Sequence, residues 1–288
     1  MSQKNQSLIL GLITIILWGS LATLGNLLIH LPPFYLMTVC FFVGSLPAFK
    51  KPREMFPSFK VSAFGIAGYF GYHFFLFYAF RFAPAIEANL INYMWPVFMV
   101  LFSPIFFSNN HLKWYHLLGG FFAMIGCFIL VFGQGGEFDL VNLKGYIFAL
   151  LAAIIWPVFS LGSKKLPESS VYSVGGYCLG AGILCFITHL LIEPHVVLQF
   201  HDAWKLLLLG FGPFGLAFYC WDQALKKGDT RVLGALSYLT PVLSTLGLIL
   251  FTDQELKNTT AIAMLLIIGG ASSGLLDFLP SKTLKKGE

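Results

Sequence analysis

The chain has 288 residues, 57% of them hydrophobic and only 11% charged, with a mean hydropathy of +0.78. A soluble globular domain is roughly 25% charged, so these charges are too few to coat a water-facing surface, and lipid is the solvent that suits the surplus apolar area. The net charge of +5 does not point to nucleic acid, because Lys and Arg stand in short clusters between apolar runs, which is a topology signal.

A helix needs about 20 mostly apolar residues to cross the hydrocarbon core. Ten runs qualify, at residues 7–29, 33–49, 61–80, 84–107, 114–132, 145–163, 171–192, 204–225, 231–251 and 259–279. They are too long for membrane strands and lack apolar/polar alternation, so the pattern predicts an all-α integral membrane protein. The connections are short and leave little room for a soluble domain.

The first run is too long for a signal-peptide core and has no small-x-small cleavage pattern, so it reads as a retained helix, with Trp18 near its middle. The third carries Tyr72, His73 and Tyr78 away from its ends, and Arg81 follows it. His73 is the only histidine placed mid-membrane; it shuttles protons or orients a ligand, or it is a neutral core histidine with a hydrogen bond.

The fourth run is the densest in polar groups. Glu87 opens it, where the helix dipole stabilises an acid by about 0.3–1 kcal/mol; the alternatives are a gate contact with Arg81 or a proton-coupling role. Asn89 and Asn92 lie three apart on one face and bind a ligand's amine or carboxylate, or hold two helices together. Tyr93, Trp95 and Pro96 follow. The sixth run carries Trp156, and the ninth Tyr238 and Pro241. Buried Tyr hydroxyls and Trp indoles want partners, so a wall of Trp18, Tyr72, His73, Tyr78, Tyr93, Trp95 and Trp156 suits an apolar or aromatic ligand with one polar end, with Tyr238 a further substrate-binding candidate; ordinary packing is the bland alternative. Proline removes a helical hydrogen bond and clashes one turn back, which makes Pro96 and Pro241 candidate hinges.

Gly119, Gly120 and Gly126 in the fifth run, and Gly269, Gly270 and Gly274 in the tenth, permit close helix contact, within one chain or across a dimer. Asp222 and Asp277 lie near inner ends, where they snorkel or pair with Lys. All five cysteines fall within apolar runs and read as small buried hydrophobes.

An even number of spans puts both termini on one side. That side collects Lys4, Lys50, Lys51, Arg53, Lys60, Lys113, Lys164, Lys165, Lys226, Lys227, Arg231, Lys282, Lys285 and Lys286, 14 of the 18 basic residues. The other side holds Arg81, Lys144, Lys205 and Lys257. The positive-inside rule therefore places the N and C termini in the cytoplasm.

The chain also repeats itself. A shift of 145 lays residues 71–110 on 216–255, with Asn92-Tyr93-Met94-Trp95-Pro96-Val97 on Ser237-Tyr238-Leu239-Thr240-Pro241-Val242, Arg81 on Lys226 and Asn109-Asn110 on Gln254-Glu255. A shift of 138 lays Trp18 on Trp156. The halves, 1–139 and 140–288, hold five spans each, an odd number, so they sit as inverted repeats. Transporters built this way bind substrate near mid-membrane, between the repeats.

There is no P-loop, GxSxG, HExxH or His/Asp cluster of metal spacing, so the reading is not an enzyme, with no catalytic residue, metal or cofactor. The expected partners are a small-molecule substrate and the lipid bilayer, without nucleic acid, for a monomer or homodimer. A sensor or scaffold would need soluble loops, and a lipid-modifying enzyme would need ionisable groups gathered at one interface.

Ten spans in two inverted halves, with Trp in the first span and Pro in the fourth span of each half, resemble the drug/metabolite transporter superfamily, closest to its EamA-type branch. Gly71-Tyr72-His73 followed by Ala85-Ile86-Glu87-Ala88-Asn89-Leu90-Ile91-Asn92-Tyr93-Met94-Trp95-Pro96 resembles the bacterial aromatic amino acid exporters. The resemblance implies a multi-pass protein of the bacterial inner membrane. It also implies a central cavity whose aromatic walls, at Trp18, Tyr72, His73, Tyr93, Trp95 and Trp156, hold the substrate ring, and export of phenylalanine, tyrosine, tryptophan and related compounds. Asn89 stands where a small residue is expected, which bears on selectivity. The alternative within the superfamily is export of other amino acids, sugars or hydrophobic drugs.

Overall fold

The computed structural model describes residues 2–132, 139–166, 169–196, 199–251, 258–273 and 276. Among them the chain is helical throughout, in fourteen α-helices: α1 (Gln3–Gly19), α2 (Leu21–Asn26), α3 (Pro33–Ser45), α4 (Phe59–Phe82), α5 (Ala85–Asn92), α6 (Trp95–Phe106), α7 (Trp114–Phe132), α8 (Leu143–Lys164), α9 (Ser173–Ile192), α10 (Phe200–Phe211), α11 (Ala217–Lys227), α12 (Thr230–Leu236), α13 (Leu239–Phe251) and α14 (Asn258–Ser272). Several are short because apolar runs are interrupted, not because they end. Joined across the interruptions, eight of the described helices are long and apolar enough to cross a membrane, and Trp114–Leu130 and Asn258–Ser272 are shorter apolar helices.

Local chemistry sets the starts. Ser58 caps α4 by accepting from the Val61 N–H at 3.3 Å, and Asp229 caps α12 by accepting from the Arg231 N–H at 2.9 Å. Pro33 opens α3, where a missing N–H costs nothing. Proline also sets the breaks. Its ring collides with the carbonyl four residues back, which is Asn92 for Pro96 and Ser237 for Pro241. Accordingly α5 ends at Asn92 and α12 at Leu236, and helix resumes at Trp95 and Leu239. A third interruption, a π-helical turn at Gly212–Leu216, separates α10 from α11 around Pro213.

The main pairings are α7 with α14, α4 with α8, α3 with α9 and α1 with α11, followed by α4 with α9 and α6 with α8. The α7–α14 contact runs over glycine. A methyl group at Gly119 would lie 1.8 Å from Ser273 Oγ, one at Gly126 2.7 Å from the Ala263 carbonyl, and one at Gly270 2.4 Å from the Gly119 carbonyl. Gly120 and Gly269 have open space beside them, so they take no part in that contact. The outer faces are apolar: Phe121, Leu191 and Leu265 are 60%, 77% and 71% exposed, a surface that suits hydrocarbon and not water. The five cysteines are buried and unpaired, and Asp222 meets Lys226 at 2.8 Å. Gly274, Asp277, Lys257, Lys282, Lys285, Lys286 and the Gln254-Glu255 pair lie outside the described residues.

The connections touch in two separate sets. At one end Lys164 reaches the Gly228 carbonyl, Lys226 the Ser169 carbonyl, Lys227 the Gln6 side chain and Arg231 the His111 carbonyl. At the other, Glu193 accepts from the N–H groups of Phe34 and Tyr35 at 2.9 and 3.0 Å, and His30 meets Asp202. The first end carries a pH-sensitive clasp. The Ser170 hydroxyl and then the Lys51 ammonium, 3.0 Å away, hold the Glu54 carboxyl below the usual carboxylate range. A lowered acid stabilises in full above its unfolded value, about 4.3, and that share fades as pH falls through the lower folded value. Thermal unfolding of the wild type and Glu54→Gln is expected to differ by a constant amount near neutral pH, and the gap is expected to close below about pH 4.

Candidate functional site

A cavity of about 540 Å³ lies between the halves, within the range of small-molecule sites. Its walls are contributed by α1, α2 and the turn after it, α3, α4, α5, α6, α8, α10, the π turn, α11 and α13. Of the residues singled out in the sequence, Trp18, Tyr72, His73, Asn89, Asn92, Tyr93, Trp95 and Trp156 border it. They come from four runs that the chain separates by up to 138 positions.

Trp18 is the hub. Its ring lies 6.1 Å from Trp95, 5.6 Å from Trp156 and 5.2 Å from Trp221, centroid to centroid. Trp95 and Trp221 close the cluster at 6.0 Å, and Trp221 donates its indole N–H to the Ser160 hydroxyl at 3.1 Å. Tyr72 tilts against Trp156 at 5.2 Å, and Phe214 and Phe218 extend the wall. Edge-to-face and tilted pairs of this kind leave negative ring faces and positive edges for another aromatic ring to meet.

Polar groups interrupt the wall at few points. The Asn92 amide donates to the Tyr72 hydroxyl at 3.2 Å, and the Asn89 amide to the Tyr93 hydroxyl at 3.3 Å. Two buried oxygens at the cavity wall, Asn92 Oδ1 and Thr240 Oγ1, have no hydrogen-bond partner. His73 is 7% exposed and places Nδ1 2.7 Å from the Tyr69 carbonyl. A carbonyl only accepts, so the proton sits on Nδ1, and Nε2 of the neutral ring is left as an acceptor.

Tyr238 is placed elsewhere, which corrects its expected place among the substrate-binding residues. It is 1% exposed and packs with Leu90, Cys127, Val242 and Met264 against α7 and α14. Tyr93, at the matching position under the shift of 145, packs against the same cluster but also borders the cavity. Pro96 and Pro241 also stand behind the wall, at the helix breaks. Glu87 is 4% exposed in the first turn of α5. Arg81 ends α4 and borders a second space of about 520 Å³ together with His30, Tyr78 and Glu193. That space shares Ile29, Leu31, Pro33, Phe77 and Phe80 with the cavity, so it adjoins the cavity and marks this as its more open end.

At the opposite end the halves are bolted together. Ser103 Oγ and Thr230 Oγ1 are 2.8 Å apart, the Asn110 amide donates to Ser103 at 2.7 Å, and Ser7 donates to the Ala224 carbonyl at 2.7 Å. Arg231, 9% exposed, grips Asp229 through two bonds of 3.1 and 2.6 Å. Wall residues that the sequence did not single out had a signal in the repeat: Phe218 falls on His73 and Thr240 on Trp95 at the shift of 145.

Comparison with known proteins agrees over nearly the whole chain. The EamA-like transporter family matches twice, at residues 5–132 and 143–273. The aromatic amino acid exporter YddG of Ancylobacter novellus is 36% identical over 288 residues, covering 96% of this chain and 99% of that protein. A probable amino-acid metabolite efflux pump of Salmonella typhimurium is 26% identical and covers 99% of both. A crystal structure of a protein 35% identical in sequence superposes with a TM-score of 0.90, over 95% of this chain and 97% of that one.

Proposed function

The chain belongs to the EamA-like transporter family, a multi-pass membrane family, and from that premise we propose that it exports aromatic amino acids across the bacterial inner membrane by alternating access. The observation that carries this reading is the cavity itself. Its wall is aromatic, and its two orphan oxygens, Asn92 Oδ1 and Thr240 Oγ1, await donors. The ring of phenylalanine, tyrosine or tryptophan stacks against Trp18, Tyr72, Trp95 and Trp156. Its ammonium or indole N–H repays the desolvation that a buried unpaired acceptor otherwise costs, about 1–3 kcal/mol.

The proposal takes the chain as ten membrane helices, with both termini cytoplasmic and two inverted halves, 1–139 and 140–288. Two observations support this. The pairings exchange when the halves are interchanged: α4 on α8 corresponds to α1 on α11, while α3 on α9 and α7 on α14 each map onto themselves. Lysine-bearing connections also meet one another and the start of α1 at one end. On this reading the open end, by Arg81, faces outward and the bolted end faces the cytoplasm. Loading substrate from inside requires the Ser103–Thr230 bond to part, with the halves turning at the breaks before Pro96 and Pro241. A wider set of amino-acid metabolites is the second reading, favoured by the efflux-pump relative that spans the full chain.

Proteoliposomes loaded with tryptophan, tyrosine or phenylalanine test the assignment. Efflux above that of protein-free vesicles is expected for at least one; equality for all three removes it. Asn92→Ala deletes the unpaired acceptor, and a hydrogen bond to a charged group is worth about 1.5–3 kcal/mol. Calorimetric affinity for tryptophan is therefore expected to fall by roughly ten-fold or more.

A further inference from the structure

At the open end, away from the cavity wall, three side chains converge that the sequence keeps far apart. His30 follows α2, and His201 and Asp202 lie in the first turn of α10, 172 positions from His30 in the case of Asp202. His30 Nε2 is 2.8 Å from Asp202 Oδ2, and His201 Nε2 is 3.3 Å from Asp202 Oδ1. The two rings stack with centroids 6.4 Å apart. The carboxylate is fully buried, while the imidazole side chains are 48% and 61% exposed, so the cluster has a rigid base and two adjustable arms. All three ligand atoms lie within 4.8 Å of one another.

We propose that His30, His201 and Asp202 form a site for a divalent transition-metal ion of the zinc class. Two imidazole nitrogens and one carboxylate oxygen are a ligand set that such ions prefer, with a fourth position left for water. Zn–N bonds of about 2.0–2.1 Å put tetrahedral ligands about 3.3 Å apart. Turning the two exposed rings supplies the contraction. Lys205 tunes the site: its ammonium lies 3.0 Å from Oδ1, on the oxygen that His201 also faces, and it opposes a second cation there. With Lys205 on Oδ1, the oxygen for the metal is Oδ2, which His30 Nε2 faces at 2.8 Å. A bound ion ties the turn carrying Leu28, Ile29 and Leu31 to α10, which carries Leu209. All four border the cavity, so the ion braces the cavity mouth and slows transport. Only this last consequence rests on the proposed transport function.

The test uses full-length protein with its polyhistidine tag removed. Zn²⁺ is titrated in competition with a chromophoric chelator, and Co²⁺ is followed by its visible absorption. Expected are one equivalent bound in the micromolar range, at least a ten-fold loss in His30→Ala and in His201→Ala, and tighter binding in Lys205→Met. Both histidine rings are exposed, so these variants keep the fold, which the gel-filtration profile checks. Absence of stoichiometric binding, or undiminished binding in the double histidine variant, overturns the site. In vesicles, Zn²⁺ is expected to slow tryptophan efflux by the wild type and not by the double variant; wild-type efflux indifferent to bound Zn²⁺ overturns the bracing role. A protein that binds the ion through these residues and moves no amino acid upholds the site and counts against transport instead.

Discussion

Trp95→Ala is expected to cut aromatic amino acid efflux on the order of ten-fold per folded molecule. Trp95 touches Trp18 and Trp221 and presents its remaining face to the cavity. An aromatic pair is worth about 0.5–1.5 kcal/mol beyond the area it buries, and about 1.4 kcal/mol is ten-fold in a binding constant. The lost stack with a substrate ring thus supplies most of the effect, and slackening of the Trp cluster supplies the rest. Truncating a packed Trp costs about 3–5 kcal/mol of stability in a core; the cavity on one side spares part of that here. Trp95→Phe keeps a ring in place and is expected to retain more efflux than Trp95→Ala. Efflux normalised to the monodisperse gel-filtration peak separates transport from folding. Equal efflux from wild type and Trp95→Ala removes Trp95 from the site.

Gly270→Leu is expected to have the largest effect on stability. The first carbon of its side chain would meet the Gly119 carbonyl at 2.4 Å and the Ala123 N–H nitrogen at 2.7 Å. Both are backbone atoms that cannot swing aside, so α7 and α14 must separate. Overpacking costs about 1–3 kcal/mol even where side chains can yield, which corresponds to a fall in Tm of about 5 °C or more. Gly269→Leu is the matched control, since nothing lies within 4 Å of that position, and its Tm is expected to stay within about 1 °C. Neither helix borders the cavity, so the Gly270→Leu protein that does fold is expected to transport at the wild-type rate. Thermal unfolding in detergent and efflux per folded molecule check both halves of the expectation.

Much of this was legible in the sequence because membrane physics is coarse. Hydropathy and length set the apolar helices, and proline chemistry pointed to disturbed helix near Pro96 and Pro241, where the structure has breaks. The same reasoning reached past Pro213, where the chain instead relaxes into a π turn; Gly212-Pro213 was the visible signal. Eight of the aromatic and amide positions lie at one cavity because helix register and repeat position are periodic properties. Tyr238 shows where periodicity stops. Its repeat position equals that of Tyr93 and both pack in the cluster against α7 and α14, yet of the two Tyr93 borders the cavity and Tyr238 does not. The meeting of His30, His201 and Asp202 depends on how one connection lies across a distant helix, which no local pattern encodes.

The glycine-seamed pair α7 and α14 contributes no atom to the cavity wall, and with Tyr238 it forms a second core, against which Tyr93 of the wall packs. Robustness and selectivity therefore have separate addresses in this chain. An engineer seeking a hardier protein can work on that seam within the close approach its glycines set, and one seeking a different cargo can leave it alone.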